Sequence, residues 1–569
     1  MSRLILLLSL QLIVLLSFGQ NNPSFSPPLG IPMFLSGNFG EIRPDHFHSG
    51  IDIKTQGTTG HHVFSIGEGY VSRIKIQANG YGKSLYITHP GGYTSVYGHL
   101  DQFREDIGQY VKKKQYALRS HQVDIYVEPG VFPVGKGDLI AYSGNTGGSS
   151  GPHLHFEVRT SSNQHPTNVL KYGFEIRDER APKFHTLFIY SRGNKGHVNG
   201  TKKSQSFDLV IDHGIYTIPW GTRLEAGGEI GFGVEVYDYM NGVSNRCGVY
   251  SLELYADERL IYSHVMDEFS FSETGYVNAL MDYGEWFSTG RKVQRLFRLP
   301  NNRLRIYGPL VNDGILTISE ERDYQVRVVA TDVAGNRSEM QFHITGKPGL
   351  NAPNEVPGNF SKRMKYDEAN YFESDGARIE IPAGALYEDL DFTFSVVSGN
   401  DGFLTDKYRI HNPGTPLHRP CYLSIKAPDV DPGLLDKLVL VTNQEGELVS
   451  AGGTCQDGSV VASISYFGDY AVALDTVAPE IIPLNGPVSG DLSGRKKLSF
   501  TIRDNLSGIE KYEGYIDNRW ALFEYDPKND LLTYLFDEEY LNRGKSHELE
   551  LYISDSKSNV KMLHTTFTW

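Results

Sequence analysis

The chain has 569 residues, a hydrophobic content of 39% and a formal charge of −14, a length that predicts about three to five domains because single cores stop growing well short of it. The acidic balance excludes the basic face expected of a nucleic-acid binder and gives no electrostatic reason to sit on an anionic membrane. Its three cysteines, Cys247, Cys421 and Cys455, are too few for a disulfide framework and lack metal-site spacing. They are read as buried or incidental thiols, with a Cys421–Cys455 bridge as the alternative.

In chain order, Arg3 precedes an apolar run from Leu4 to Phe18 broken only by Ser9, Gln11 and Ser17. Ser17 and Gly19 are small residues at the −3 and −1 positions of a cut before Gln20. Residues 1–19 therefore predict a signal peptide and export to the periplasm or cell exterior. The run is shorter than the ~20 apolar residues of a membrane span, which disfavours the competing reading of a retained anchor. No cysteine follows it to carry a lipid.

Residues 20–175 predict a domain of short strands. The segments Gly69–Gln77, Ser84–His89, Tyr93–His99 and His153–Arg159 alternate apolar and polar residues with period two, and glycine turns separate them. An excursion at about 102–133 differs in character: Asp106–Ser120 predicts a helix and Val123–Val127 a strand. From about residue 176 two stretches resemble each other. The first runs from Ala181-Pro182-Lys183 through VEVYDYMNGVSNR (Val234–Arg246) to YQVRVVATDVAGNRSEMQFHI (Tyr324–Ile344). The second runs from Ala478-Pro479-Glu480 through FTIRDNLSGIE (Phe500–Glu510) to ELELYISDSKSNVKMLHTTFTW (Glu548–Trp569). This internal duplication predicts immunoglobulin-like β-sandwiches at 176–348 and 476–569. Between them, residues 349–475 form another β-rich unit, whose ARIEIPAGAL (Ala377–Leu386) resembles the ZU-type β-domain. No catalytic cluster is evident in residues 176–569.

Chemistry concentrates in three pieces of the first domain. In RPDHFHSGIDI, the alternation of Ile51 and Ile53 predicts a strand on which His48, Gly50 and Asp52 share a face. Gly50, lacking a side chain, would then leave room for an ion between His48 and Asp52. In HLHFEV, Leu154, Phe156 and Val158 form an apolar face with His153, His155 and Glu157 opposite. The two imidazoles stand roughly 7 Å apart at Cα, so one can bind a metal while the other reaches a water beside it. In YTSVYGHL, His99 ends a strand face shared with Tyr97 and Tyr93; a packing role for both tyrosines outweighs a donor role. The run SGNTGGSSGP (Ser143–Pro152) lacks the Gly-Lys-Ser/Thr ending of a phosphate-binding loop and precedes a strand, so it reads as a turn aiming the second motif. His46 is the only other histidine expected near the site.

Each piece is weak alone, but together H-x-x-x-D, GYGKSLYITHPGGYTSVYGHL and GKGDLIAYSGNTGGSSGPHLHFEVR closely resemble the lysostaphin-type (LytM-like) peptidoglycan metalloendopeptidases over about residues 36–160. The resemblance implies an all-β peptidase domain binding one Zn²⁺ through His48, Asp52 and His155, with His153 and His99 as catalytic histidines. Two imidazoles and one carboxylate leave the open coordination position of a catalytic rather than a structural zinc. The implied substrate is the peptide stem of peptidoglycan, and the C-terminal β-domains would offer surfaces to a cell-wall or envelope protein. The alternatives are a non-catalytic wall scaffold or amidase activator, and an adhesion protein with an accessory peptidase domain. The chain departs from the compact family pattern in the excursion at 102–133, which would roof the groove, hold the site shut, or lie inert on the surface.

Overall fold

The computed structural model describes residues 25–349, 360–398, 402–444, 446–484 and 486–569; the predicted signal segment 1–19 lies outside them. Period-two alternation in the first domain becomes strands that share one apolar core. Val71, Ile74 and Ile76 enter it from Gly69–Ile76, Leu85 and Ile87 from Lys83–His89, and Leu154, Phe156 and Val158 from His153–Thr160. A register shift between Val71 and Arg73 restores the inward face where strict alternation would lose it.

Seven strands run in the order Leu35–Gly37, Ile51–Lys54, His153–Thr160, Tyr93–Phe103, Lys83–His89, Gly69–Ile76, Pro133–Val134, each antiparallel to its neighbour. This order makes the two histidine motifs cross-strand neighbours although a hundred residues separate them. His155 lies opposite Asp52 on one side and Gly98 on the other.

The excursion is part of this core. Its helix, Glu105–Leu118, buries Ile107, Val111 and Gln115 at i, i+4 and i+8 and ends on a left-handed Arg119 (φ 47°). The following strand, Val123–Tyr126, pairs with Gly69–Ile76.

Residues 183–346 build a twelve-stranded sheet around Leu187, Phe232, Val326 and Phe342. A helical segment not anticipated from sequence interrupts it, and its helix Tyr283–Thr289 is capped by the Asp282 carboxylate accepting from Glu285 N–H. Phe39, Ile42 and Phe47 of the first domain are buried against Phe269, Tyr276 and Leu280 of the second, so the two share a core. Residues 362–474 form two five-stranded sheets and a two-stranded one around Ile379, Phe392, Leu423 and Val472. Cys421 and Cys455 are both free thiols there, so the alternative bridge does not form. The last unit packs a four-stranded on a five-stranded sheet around Phe500, Phe523 and Leu551, the layered form expected of a β-sandwich.

The last unit returns to the first. The Tyr116 and Tyr540 rings stack at 3.7 Å, Lys112 pairs with Asp537 and Lys83 with Glu524 at 3.0 Å. Lys528 donates to the carbonyls of Asn145 and Gly147. No helix among the described residues is long and apolar enough to cross a membrane.

Candidate metal centre

His48 precedes the strand Ile51–Lys54 instead of lying on it, a correction to the reading that put His48, Gly50 and Asp52 on one strand face. Its backbone is held on both sides, with His48 N–H donating to Glu41 O and Gly40 N–H to His48 O, each at 2.9 Å. Gly50 does not make room for an ion either. A Cβ there would stand 2.3 Å from the Phe156 carbonyl oxygen and 2.8 Å from Glu157 Cγ, so close approach of the neighbouring strand is what requires glycine.

Asp52 and His155 face each other across that strand pair. His48 Nε2, Asp52 Oδ1 and His155 Nδ1 form a triangle with all three edges at 3.0 Å. The far side of each imidazole is committed. His48 Nδ1 lies 2.8 Å from Asn38 O, and a carbonyl only accepts, so Nδ1 carries the proton and Nε2 the lone pair. His155 Nε2 lies 2.8 Å from Glu157 Oε1, which by the same argument leaves the lone pair on Nδ1. Three acceptors thus converge on one point, an arrangement that a cation satisfies. The second Asp52 oxygen accepts from Arg43 Nη2 at 2.6 Å.

Glu157 is the hub behind the triangle. Fully buried, it accepts from His155, from Ser49 Oγ at 2.7 Å, from Tyr81 OH at 2.5 Å and from Arg159 Nε at 2.5 Å. Its carboxyl is held far below the usual range: burial opposes this, and Arg159 and His155 outweigh burial. Asp52 is likewise held well down, with burial opposing and His48, His153 and His155 prevailing. Burial pushes His48 down to about 4. Burial also lowers His155, but hydrogen bonds to Asp52 and Glu157 overcome it and hold His155 up at about 9, so proton and cation compete for the same nitrogen.

His99 and His153 stand beside the triangle with ring centroids 4.7 Å apart. His99 adopts φ 58°, a left-handed break that turns its ring off the strand face of Tyr97. This corrects the shared face expected from sequence: Tyr97 is buried in the core with its OH accepting from Ile66 N–H, and Tyr93 packs on Phe25 and Tyr172. The site tyrosine is Tyr81, stacked on His155 at 5.0 Å. His99 Nδ1 donates to Thr146 O at 2.8 Å and His153 Nδ1 to Gly151 O at 2.8 Å, both carbonyls of the glycine-rich loop. That loop lies tight on its neighbour: Gly147 (φ 72°) has no room for a Cβ, which would meet Gly82 N at 2.3 Å. Burial, with His155 and His153 adding to it, drops His99 to about 3. His153 Nε2 lies 3.4 Å from Asp52 Oδ1.

The structure therefore gathers His48, Asp52, His155, His153 and His99, and leaves out Tyr93 and Tyr97; His46 lies near enough to feel the charge of His155 but turns its Nδ1 back to Pro44 O. Arg43, Tyr81, Glu157 and Arg159 were not anticipated. Glu157 alone had a signal, its place two residues beyond His155 on the polar face.

Residues 46–121 and 116–169 match peptidase family M23, and residues 361–475 match the Zu5-like domain. An uncharacterized metalloprotease of Haemophilus influenzae is 36% identical over 119 residues, covering 21% of this chain and 19% of that protein. The peptidoglycan DD-endopeptidase ShyB of Vibrio cholerae is 31% identical over 143 residues, covering 25% of this chain and 27% of its own length. The crystal structure of a mutant catalytic domain of the prophage-encoded M23 protein EnpA from Enterococcus faecalis is 24% identical with a TM-score of 0.20, covering 26% of this chain and 99% of that one. The chain spans between 19% and 27% of the length of the curated relatives it matches.

Proposed function

The N-terminal folded region is a peptidase family M23 domain, and on that premise we propose that the chain is an exported zinc metalloendopeptidase cleaving the peptide cross-links of bacterial peptidoglycan. The observation that carries this reading is the triangle of three convergent acceptors, His48 Nε2, Asp52 Oδ1 and His155 Nδ1, at 3.0 Å edges. Tetrahedral bonds of 2.0–2.1 Å to Zn²⁺ imply an edge of about 3.3 Å, so these residues fit the ion with little adjustment.

Zinc held there supplies Lewis acidity toward a water and the scissile carbonyl. The protein's own part is orientation and proton handling. Asn38 and Glu157 fix the two ligand rings by their outer nitrogens, and Arg43 fixes the Asp52 carboxylate. His99 and His153 are anchored through Nδ1 to loop carbonyls, which leaves Nε2 of each ring for proton transfer. Between them these rings take the proton released by the attacking water and return one to the leaving amine. The names of the relatives, among them a peptidoglycan DD-endopeptidase and a DD-carboxypeptidase/endopeptidase of Neisseria meningitidis, support a wall peptide as substrate.

Purified sacculi treated with the zinc-loaded protein, beside the His155→Ala variant, test the reading by muropeptide mass spectrometry. Cross-linked dimers should fall to monomers only with the intact protein. Matching profiles from the two proteins, with zinc demonstrably bound to the intact one, would overturn it in favour of a non-catalytic wall scaffold.

A further inference from the structure

The two duplicated units carry the same trio of carboxylates in the same places. Asp178 stands three residues before Ala181-Pro182, and Asp475 three before Ala478-Pro479. Asp238 follows the strand Glu225–Tyr237, and Asp504 follows Lys497–Arg503. Asp332 follows Asp323–Thr331, and Asp555 ends Ser546–Asp555. In each trio one carboxylate oxygen per residue lies within 4.8 Å of the others.

The surroundings repeat as well. Asn336 N–H donates to Asp332 Oδ1 at 2.8 Å and its Nδ2 to Asp332 Oδ2 at 2.7 Å and to the Asp178 carbonyl at 3.2 Å. Asn559 does the same to Asp555 at 2.8 and 2.7 Å and to the Asp475 carbonyl at 3.1 Å. Acidic clusters held together by internal hydrogen bonds are common without a ligand. What distinguishes this pair is an orphan: Asp238 is 1% exposed, and its Oδ1 is buried without a hydrogen-bond partner. At the matching position Asp504 Oδ1 is also buried and partnerless. A buried anionic oxygen without a donor is costly unless a cation meets it.

Nearby cations do not fill that role. The Arg180 guanidinium donates to the carbonyls of Met240 and Val243, and Lys557 Nζ donates to Gly453 O. Burial, reinforced by Asp178 and Asp332 and only partly offset by Arg180, pushes the Asp238 acid up to about 8, as expected where carboxylates crowd together out of water.

We propose that each of these two units binds one hard divalent cation, Ca²⁺ in preference to Mg²⁺, between Asp178, Asp238 and Asp332 in the first and Asp475, Asp504 and Asp555 in the second. The donors are all oxygens, the ligands of hard cations, and an adaptable Ca²⁺ shell with 2.3–2.6 Å bonds accepts an irregular carboxylate set more readily than the ~2.1 Å octahedron of Mg²⁺. Asp178 and Asp475 lie in the segments that lead into each unit from the preceding one, whereas the other four close strands within it. Each ion therefore pins an incoming segment to two strand ends, at the junction before the second unit and the junction before the last.

The test is calcium stoichiometry on the zinc-loaded full chain, by equilibrium dialysis with elemental analysis, together with thermal melting with and without calcium. Two ions per chain and a higher Tm in calcium are expected. Asp238→Asn and Asp504→Asn should each bind one ion and the double variant none, with zinc content unchanged. Asparagine keeps the shape and removes a buried charge, so these variants should fold. No bound calcium at millimolar concentration overturns the proposal, as does undiminished binding by the double variant. A single ion abolished by Asp238→Asn would keep the first site and overturn the second.

Discussion

Replacing Glu157 by glutamine tests whether the hub behind the metal triangle sets metal affinity. The carboxylate accepts four donors, and its partner Arg159 has a side chain only 7% exposed. Glutamine keeps one acceptor oxygen for the His155, Ser49 and Tyr81 side and turns an NH₂ toward Arg159, a donor that cannot accept. It also leaves Arg159 buried with the Tyr81 hydroxyl at 3.4 Å and the Phe271 face at 4.6 Å. Breaking a buried pair from one side costs about 3–5 kcal/mol, and losing a partner that orients a metal ligand lowers metal affinity by about 10–100-fold. Chelator competition should show that loss in zinc Kd, and thermal melting should show the destabilisation. The double variant Glu157→Gln/Arg159→Met separates the two effects. Removing the stranded cation should recover stability, while His155 Nε2 still lacks its carboxylate and zinc affinity stays low. Full recovery of both, or an unchanged zinc Kd in Glu157→Gln, would refute the reasoning.

His153→Ala and His99→Ala should each cut cross-link cleavage by about 10²–10⁴-fold while elemental analysis finds zinc retained; loss of zinc would instead make them ligands. Gly50→Ala drives a methyl into the Phe156 carbonyl, and the backbone shift should lower both Tm and zinc content, measured on the same sample. His264 is buried in the second unit with only Tyr262 OH on Nδ1 and no partner on Nε2, and burial lowers it from 6.5 to about 4. Because the folded pKa lies below the unfolded one, its contribution is complete above pH 6.5 and is lost as pH falls toward 4, by roughly 3 kcal/mol. In urea titrations His264→Gln should therefore show a shallower stability loss over that window than the unsubstituted chain, and parallel curves would count against the assignment.

His48, Asp52 and His155 were singled out by the resemblance of H-x-x-x-D and H-x-H to a family pattern, and strand pairing does bring the three groups to one place. The faces were less readable. His99 leaves the face of Tyr97 through a positive φ, and alternation assumes that no such break occurs. Gly50 was assigned to an ion because its real neighbour, the Phe156 carbonyl, lies 106 positions away. The helix in the excursion was expected over Asp106–Ser120 and forms over Glu105–Leu118, whereas the helical segment around Tyr283–Thr289 mixes aromatic and small residues without a clean stripe. Arg43, Tyr81 and Arg159 gave no signal, since their roles exist only relative to Asp52 and Glu157 across strands. The carboxylate trios went unseen for the same reason, although the duplication that contains them was plain.

The core shared by the first two units bears on how the peptidase region behaves when cut out. A fragment ending near residue 175 would carry Phe39, Ile42 and Phe47 to its surface, side chains at most 5% exposed in the whole chain. At about 1.5–3 kcal/mol per large apolar side chain, the patch they form is strong enough to drive self-association. Weak activity or precipitation of such a fragment would then report a stripped interface rather than a defective metal centre.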